Sequence, residues 1–121
     1  MLVEDDPALR KLVMHYLVLM GFCVVEAPDG RTAMTRLLEM KPDLVCLDLM
    51  LPESSGYDVC EFIRRTPTLA QVPVMMMSAR TLPEDRAHAE EVGVTGYLIK
   101  PFTRAEFTRQ VREVLARGGK A

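Results

Sequence analysis

Seven side chains able to do chemistry stand just past short apolar runs in this sequence. Leu2-Val3 leads into Glu4-Asp5-Asp6, Leu44-Val45-Cys46-Leu47 into Asp48, Val72 to Met77 into Ser78-Ala79-Arg80, and Tyr97-Leu98-Ile99 into Lys100-Pro101. If those runs are strands of one sheet, Glu4, Asp5 and Asp48 are crowded together, and two unit charges about 4 Å apart repel by about 4 kcal/mol at an effective dielectric of 20. A divalent cation relieves such crowding. Oxygen donors with room for water suit Mg²⁺, with Ca²⁺ and Mn²⁺ as alternatives, whereas zinc asks for Cys or His that this set lacks. Mg²⁺ takes phosphate oxygens as further ligands, and Lys100 and Ser78 offer a positive charge and a hydroxyl to the same oxygens. Asp48 is then a nucleophile able to form an acyl phosphate. Taken singly these residues have plainer readings: an acidic first turn before Pro7, a Lys-Pro turn, a serine cap. Asp48, inside the apolar stretch Leu47-Asp48-Leu49-Met50, is the exception, because a carboxylate beside a buried strand is costly without a partner. Joint placement at four strand ends favours an aspartyl phosphorylation site.

The elements that must position these groups follow from two alternating periodicities. Strands are predicted at Leu2-Val3, Cys23-Val24-Val25, Leu44 to Leu47, Val72 to Met77 and Tyr97 to Ile99. Leu9, Leu12, Val13, Tyr16, Leu17 and Met20 make one stripe of a first helix from Pro7 to Met20, with Gly21 as its stop. Asp29 caps a second, running to about Met40 ahead of Lys41-Pro42, with Ala33, Leu37 and Leu38 inward. A third runs from Tyr57 to Arg65 on Val59, Phe62 and Ile63. A fourth, from Pro83 to Val92, has mostly Ala87 and Ala89 to turn inward and is expected to be weakly packed and comparatively mobile. The last, from Arg104 to Arg117, buries Phe107, Val111, Val114 and Leu115 and stops at Gly118-Gly119. Strands alternating with helices imply an α/β, doubly wound parallel sheet with helices on both faces, and chemistry at the carboxyl ends of its strands.

Composition narrows the function classes. At 121 residues there is room for one domain (1–121), and 49% hydrophobic with 26% charged residues is the balance of a globular chain. A formal net charge of −2 supplies no global basic field, so neither direct nucleic-acid binding nor an anionic membrane surface is expected. No apolar run approaches the roughly 18 residues of a membrane span, and no signal peptide precedes the acidic cluster. Cys23, Cys46 and Cys60 sit in apolar runs, which reads as buried reduced thiols in a cytoplasmic protein. Three residues before the first charge are few for a core strand, so native residues are expected ahead of Met1.

The residues as a set resemble a family. From Glu4-Asp5 through Asp48, Leu51-Pro52, Gly56 and Ser78-Ala79 to Tyr97-Leu98-Ile99-Lys100-Pro101-Phe102, the chain resembles a response-regulator receiver domain of two-component signalling. The resemblance implies a flavodoxin-like five-stranded sheet in the order 2-1-3-4-5. It implies that Asp48 takes a phosphoryl group from a phosphohistidine of a sensor kinase or histidine phosphotransferase. Asp5 and Asp48 would ligate Mg²⁺ directly, the Met50 backbone carbonyl would be a third ligand, and Glu4 would act through water. Lys100 would pair with the phosphoryl group, Ser78 would follow it inward, and Tyr97 would change rotamer, altering the face of the fourth helix, fifth strand and fifth helix. Lys100-Pro101 matches a cis peptide of the family. Met50 and Arg80, two residues beyond Asp48 and Ser78, stand where the family tunes hydrolysis of the phosphoryl group. Such a domain is not an enzyme on a separate substrate; it catalyses its own phosphorylation and slow dephosphorylation, and signals to a downstream target or a fused output domain.

Other surfaces and other classes are weighed alongside. Met14 and Val18 face away from the first helix's stripe and offer a kinase or phosphotransferase helix an apolar pair, or are ordinary exposed residues. His15 and His88 lack metal-ligand company and read as surface histidines. Arg109, Arg112 and Arg117 with Glu106 and Glu113 make the last helix a mixed-charge face, suited to solvent or to a homodimer in the phosphorylated state. A phosphatase would need a second carboxylate where Met50 stands. A flavin carrier is opposed by the sign of charge at Glu4-Asp5-Asp6. The remaining alternative is a phosphorylation-independent pseudo-receiver that serves as a docking module.

Overall fold

Strand and helix alternate from end to end: β1 (Leu2–Val3), α1 (Pro7–Leu19), β2 (Glu26–Ala27), α2 (Gly30–Leu37), β3 (Val45–Asp48), α3 (Gly56–Arg65), β4 (Val74–Ser78), α4 (Pro83–Val92), β5 (Gly96–Ile99) and α5 (Arg104–Arg117). These come from a computed structural model that describes residues 1–118. All strand pairs are parallel and the order is β2-β1-β3-β4-β5, as the resemblance implies.

Because successive side chains of a strand point to opposite faces, each strand feeds two cores. Val3, Val45, Leu47, Val74 and Met76 pack with Ala33 and Leu37 of α2, Val59, Cys60 and Ile63 of α3 and Val92 of α4. Leu2, Cys46, Met75 and Met77 pack on the other side with Val13 and Leu17 of α1 and Phe107, Val111 and Val114 of α5. Both faces are covered, which is why the strands read as continuous apolar runs.

Helix starts carry the expected chemistry. Asp6 accepts a hydrogen bond from the Ala8 N–H, Asp29 from Thr32, and Ser55 and Thr103 form reciprocal caps with Asp58 and Glu106. Gly93 ends α4 in the left-handed region at φ 92, a conformation other residues adopt only with strain. Gly118 follows α5; Gly119, the other half of the predicted stop, lies outside the described residues.

Several expectations are corrected. The second strand is Glu26–Ala27 rather than Cys23 to Val25, because β1 offers ladder partners only at Leu2 and Val3, which take Glu26 and Ala27. Cys23 therefore lies before the ladder and is exposed, unlike Cys46 and Cys60. α1 stops at Leu19, and α2 stops at Leu37, leaving Leu38 as an exposed cap residue. Leu12 and Leu115 sit at the margins of their stripes and are also exposed, since a helix on a sheet buries a narrower arc than the sequence pattern suggests. Met14 packs partly against the core, while Val18 does face outward. On α4 the buried residues are Asp85, Ala89 and Val92, and Ala87 is exposed. Among the described residues no helix is long and apolar enough to cross a membrane.

Candidate functional site

β1 and β3 are neighbours in register, Val3 opposite Leu47, so Glu4, just past β1, and Asp48, the last residue of β3, stand side by side at the rim of the sheet. β4 pairs Ser78 with Ile99, which delivers Ser78 and Lys100 to the same rim, and the Lys100 N–H donates to the Ser78 carbonyl at 2.8 Å. Carboxylate oxygens of Glu4, Asp5 and Asp48 lie within 4.8 Å of one another. The Lys100 Nζ reaches both inner carboxylates, 3.1 Å from Asp48 Oδ2 and 3.3 Å from Glu4 Oε1. The peptide bond between Lys100 and Pro101 is cis.

Burial differs sharply among the acids. Glu4 and Asp48 are 1% and 5% exposed, whereas Asp5 is open to solvent. The Glu4 Oε2 accepts from the Asp6 N–H, the Asp48 Oδ1 from the Met50 N–H at 3.2 Å, and Arg10 donates to the Glu4 carbonyl. Asp6 is a helix cap and stands apart from the carboxylate cluster. Met50 exposes its thioether, and its backbone bridges to Ser55 across the loop after β3.

Desolvation, followed by a hydrogen bond with the Asp48 carboxyl, pushes Glu4 up to about 7 from an ordinary 4.5. The folded chain therefore holds a proton that the unfolded chain releases across that interval. Stability from neutral Glu4 is fully present below about pH 4.5 and is lost as pH rises through about 7, a change on the order of 3 kcal/mol. Thermal melts in chelator across this range should show wild type losing stability relative to Glu4→Gln; parallel curves would contradict the assignment.

Ser78 is buried, and its Oγ accepts the Arg80 N–H at 3.0 Å. Tyr97 is half-buried, its hydroxyl donates to the Arg80 carbonyl at 3.1 Å, and the Arg86 guanidinium lies 5.2 Å from its ring centre. Glu4, Asp5, Asp48, Met50, Ser78, Tyr97 and Lys100 thus fall on one edge of the sheet or on the β4–α4 corner beside it.

Asp85 was missed. It is buried in the first turn of α4 and pairs with Arg80, Nε to Oδ1 at 3.2 Å. Between Glu84 and Arg86 it reads as one more solvated helix charge, and no sequence signal marks its burial. His88 stacks on Tyr57, with ring centres 4.1 Å apart.

Comparison with known proteins places this geometry. The chain is 37% identical over 117 residues to the DNA-binding dual master transcriptional regulator RpaA of Synechocystis, covering 97% of this chain and 48% of that protein. It is equally identical, over the same length, to the phosphate regulon transcriptional regulatory protein PhoB of Escherichia coli, covering 51% of that protein. The chain thus spans about half the length of these curated relatives. The expectation of no nucleic-acid partner finds no support here, since RpaA is named as DNA-binding. Among solved structures, the chemotaxis response regulator CheY4 of Vibrio cholerae superposes with a TM-score of 0.89 at 28% identity, over 93% of this chain and 94% of that one. The receiver domain of a Pseudomonas aeruginosa sensor histidine kinase, described with a magnesium ion coordinated in its active site cleft, superposes with a TM-score of 0.86 at 30% identity, over 95% and 94%. The model of the response regulator receiver domain matches residues 1–112, and the chain belongs to that family.

Proposed function

We propose that this receiver domain accepts a phosphoryl group on Asp48 from a phosphohistidine of a sensor kinase or histidine phosphotransferase. The observation that carries the reading is the Asp48 carboxylate, buried at the rim of the sheet, 3.1 Å from the Lys100 ammonium and clustered with Glu4 and Asp5. An oxygen of Asp48 attacks phosphorus, the bond from phosphorus to the donor imidazole nitrogen breaks, and that nitrogen keeps the electron pair. Lys100 neutralises charge on the phosphoryl oxygens, and the Ser78 hydroxyl donates to one of them. Nothing in the site favours the docking-module alternative, which could dispense with Asp5, Asp48, Ser78 and Lys100.

The oxygen-only cluster of Glu4, Asp5 and Asp48 fits Mg²⁺; Asp5 and Asp48 would hold it with the Met50 carbonyl, and Glu4 would act through water, as the family resemblance implies. When bound, the ion supplies positive charge that draws phosphoryl oxygens into an otherwise anionic pocket. Mg²⁺ at ten times its dissociation constant should stabilise the fold by about 1.4 kcal/mol, a rise in Tm of a few degrees. Asp5→Asn should remove the rise; an unchanged Tm in the wild type would contradict the site.

Output passes by protein contact along α4, β5 and α5, to a downstream target, a second copy or a fused output domain. A DNA-directed output, as the name of the Synechocystis relative states for that protein, is part of this proposal. Incubation with acetyl phosphate and Mg²⁺ tests the phosphoacceptor step. One phosphoryl adduct per chain is expected in the intact mass, and no adduct on folded protein would contradict it.

A further inference from the structure

We propose that Asp85, acting through Arg80, is a positioning residue that holds the Ser78 hydroxyl in a resting orientation. The inference rests on the phosphoacceptor reading above. Arg80 touches three groups at once. Its N–H donates to Ser78 Oγ, its carbonyl accepts from the Tyr97 hydroxyl, and its guanidinium meets Asp85. The Arg80 side chain is 52% exposed while the Asp85 side chain is 10% exposed, so the buried partner fixes the exposed one.

Asp85 has reason to hold its cation. Among the described residues its buried Oδ2 has no hydrogen-bond partner, and a carboxylate out of water with half its acceptors unfilled is strongly penalised if the Arg80 counter-charge leaves. On its other side the Tyr57 hydroxyl donates to the Asp85 carbonyl at 3.1 Å. The N-cap of α4 is Leu82, which makes no side-chain hydrogen bond to the helix start. Asp85 thus locates a first turn that its own cap does not.

When Ser78 turns toward a phosphoryl oxygen, the Arg80 N–H loses its acceptor and the backbone on both sides of the Arg80 Cα is free to move. The Tyr97 hydroxyl then loses the Arg80 carbonyl, and Asp85 loses the guanidinium. Each contact resists the turn of Ser78, so breaking the ion pair should speed phosphoryl acquisition, and only through Ser78.

Adduct formation from acetyl phosphate and Mg²⁺ tests this in Arg80→Gln, Arg80→Lys, Asp85→Asn and the Arg80→Gln/Asp85→Asn double variant, each also in a Ser78→Ala background. Arg80→Gln and Asp85→Asn should each label roughly threefold faster, the double variant no faster than either, and Arg80→Lys close to wild type. The acceleration should vanish in the Ser78→Ala background, which a merely structural pair would not require. Wild-type rates in Arg80→Gln, or equal acceleration with Ser78→Ala, would overturn the proposal. Arg80→Gln, at the exposed end of the pair, carries the test should Asp85→Asn fold poorly. If wild type takes no adduct, the phosphoacceptor reading is what fails. Hydrogen exchange of residues 82–87 in resting chains then decides: faster in Arg80→Gln supports the latch, unchanged overturns it.

Discussion

Asp48→Asn should take up no phosphoryl group from acetyl phosphate, less than about 1% of the wild-type adduct, because the amide that replaces the carboxylate is not a nucleophile toward phosphorus. The substitution keeps size and shape, so the sheet should survive it. The Met50 N–H donates to the Asp48 Oδ1, which an amide oxygen can replace, and the change also removes a carboxylate from the crowded cluster. Lys100 retains Glu4 as an ionic partner at 3.3 Å. Thermal melts of the variant should therefore stay cooperative and near wild type while labelling disappears. Retained labelling would move the acceptor elsewhere; a lost transition would show that Asp48 serves the fold first.

The largest expected effect on stability comes from Gly56→Ala. A Cβ at position 56 would lie 2.5 Å from the Asp48 carbonyl oxygen and 2.9 Å from the Leu49 Cα. Both are backbone atoms at the end of a central strand, and neither can rotate away. The Gly56 N–H also donates to the Leu49 carbonyl at 2.8 Å, so the start of α3 is tied to the segment that carries Asp48. Relief requires moving α3 or the end of β3, at a cost of about 3 kcal/mol, or roughly 10–15 °C in Tm. Labelling of Asp48 should slow as well, because the strain falls on its own carbonyl. A melting temperature within about 2 °C of wild type would show that the contact yields more easily than the geometry implies.

The sheet order needed the family resemblance, but most of the elements needed only periodicity. Val72 to Met77 is too apolar for anything except a strand covered on both faces, and Val74, Met75, Met76 and Met77 are fully buried. The rim was legible for the same reason: in a parallel sheet every carboxyl end faces one way, so residues just past the strands meet. What sequence could not give were boundaries and exceptions set by neighbours. β2 slid to Glu26–Ala27 because its partner strand is two residues long. Leu12 and Leu115 satisfy a helical stripe yet lie beyond the arc the sheet covers. Asp85 is the instructive miss, since its burial follows from Arg80 and Tyr57 arriving from other elements. Pattern reading correctly foresaw that α4 has few apolar residues to bury, and could not foresee the buried carboxylate among those that take their place.

The central claim is that the phosphoryl group resides on one carboxylate among three that crowd the rim. Borohydride reduction of the acetyl-phosphate-treated protein, followed by peptide mapping, locates it directly, because an aspartyl phosphate is reduced to homoserine while a serine phosphate is inert. The account predicts homoserine at position 48 alone, dependent on Mg²⁺. Homoserine at position 5, or a borohydride-resistant phosphate on Ser78, would contradict it.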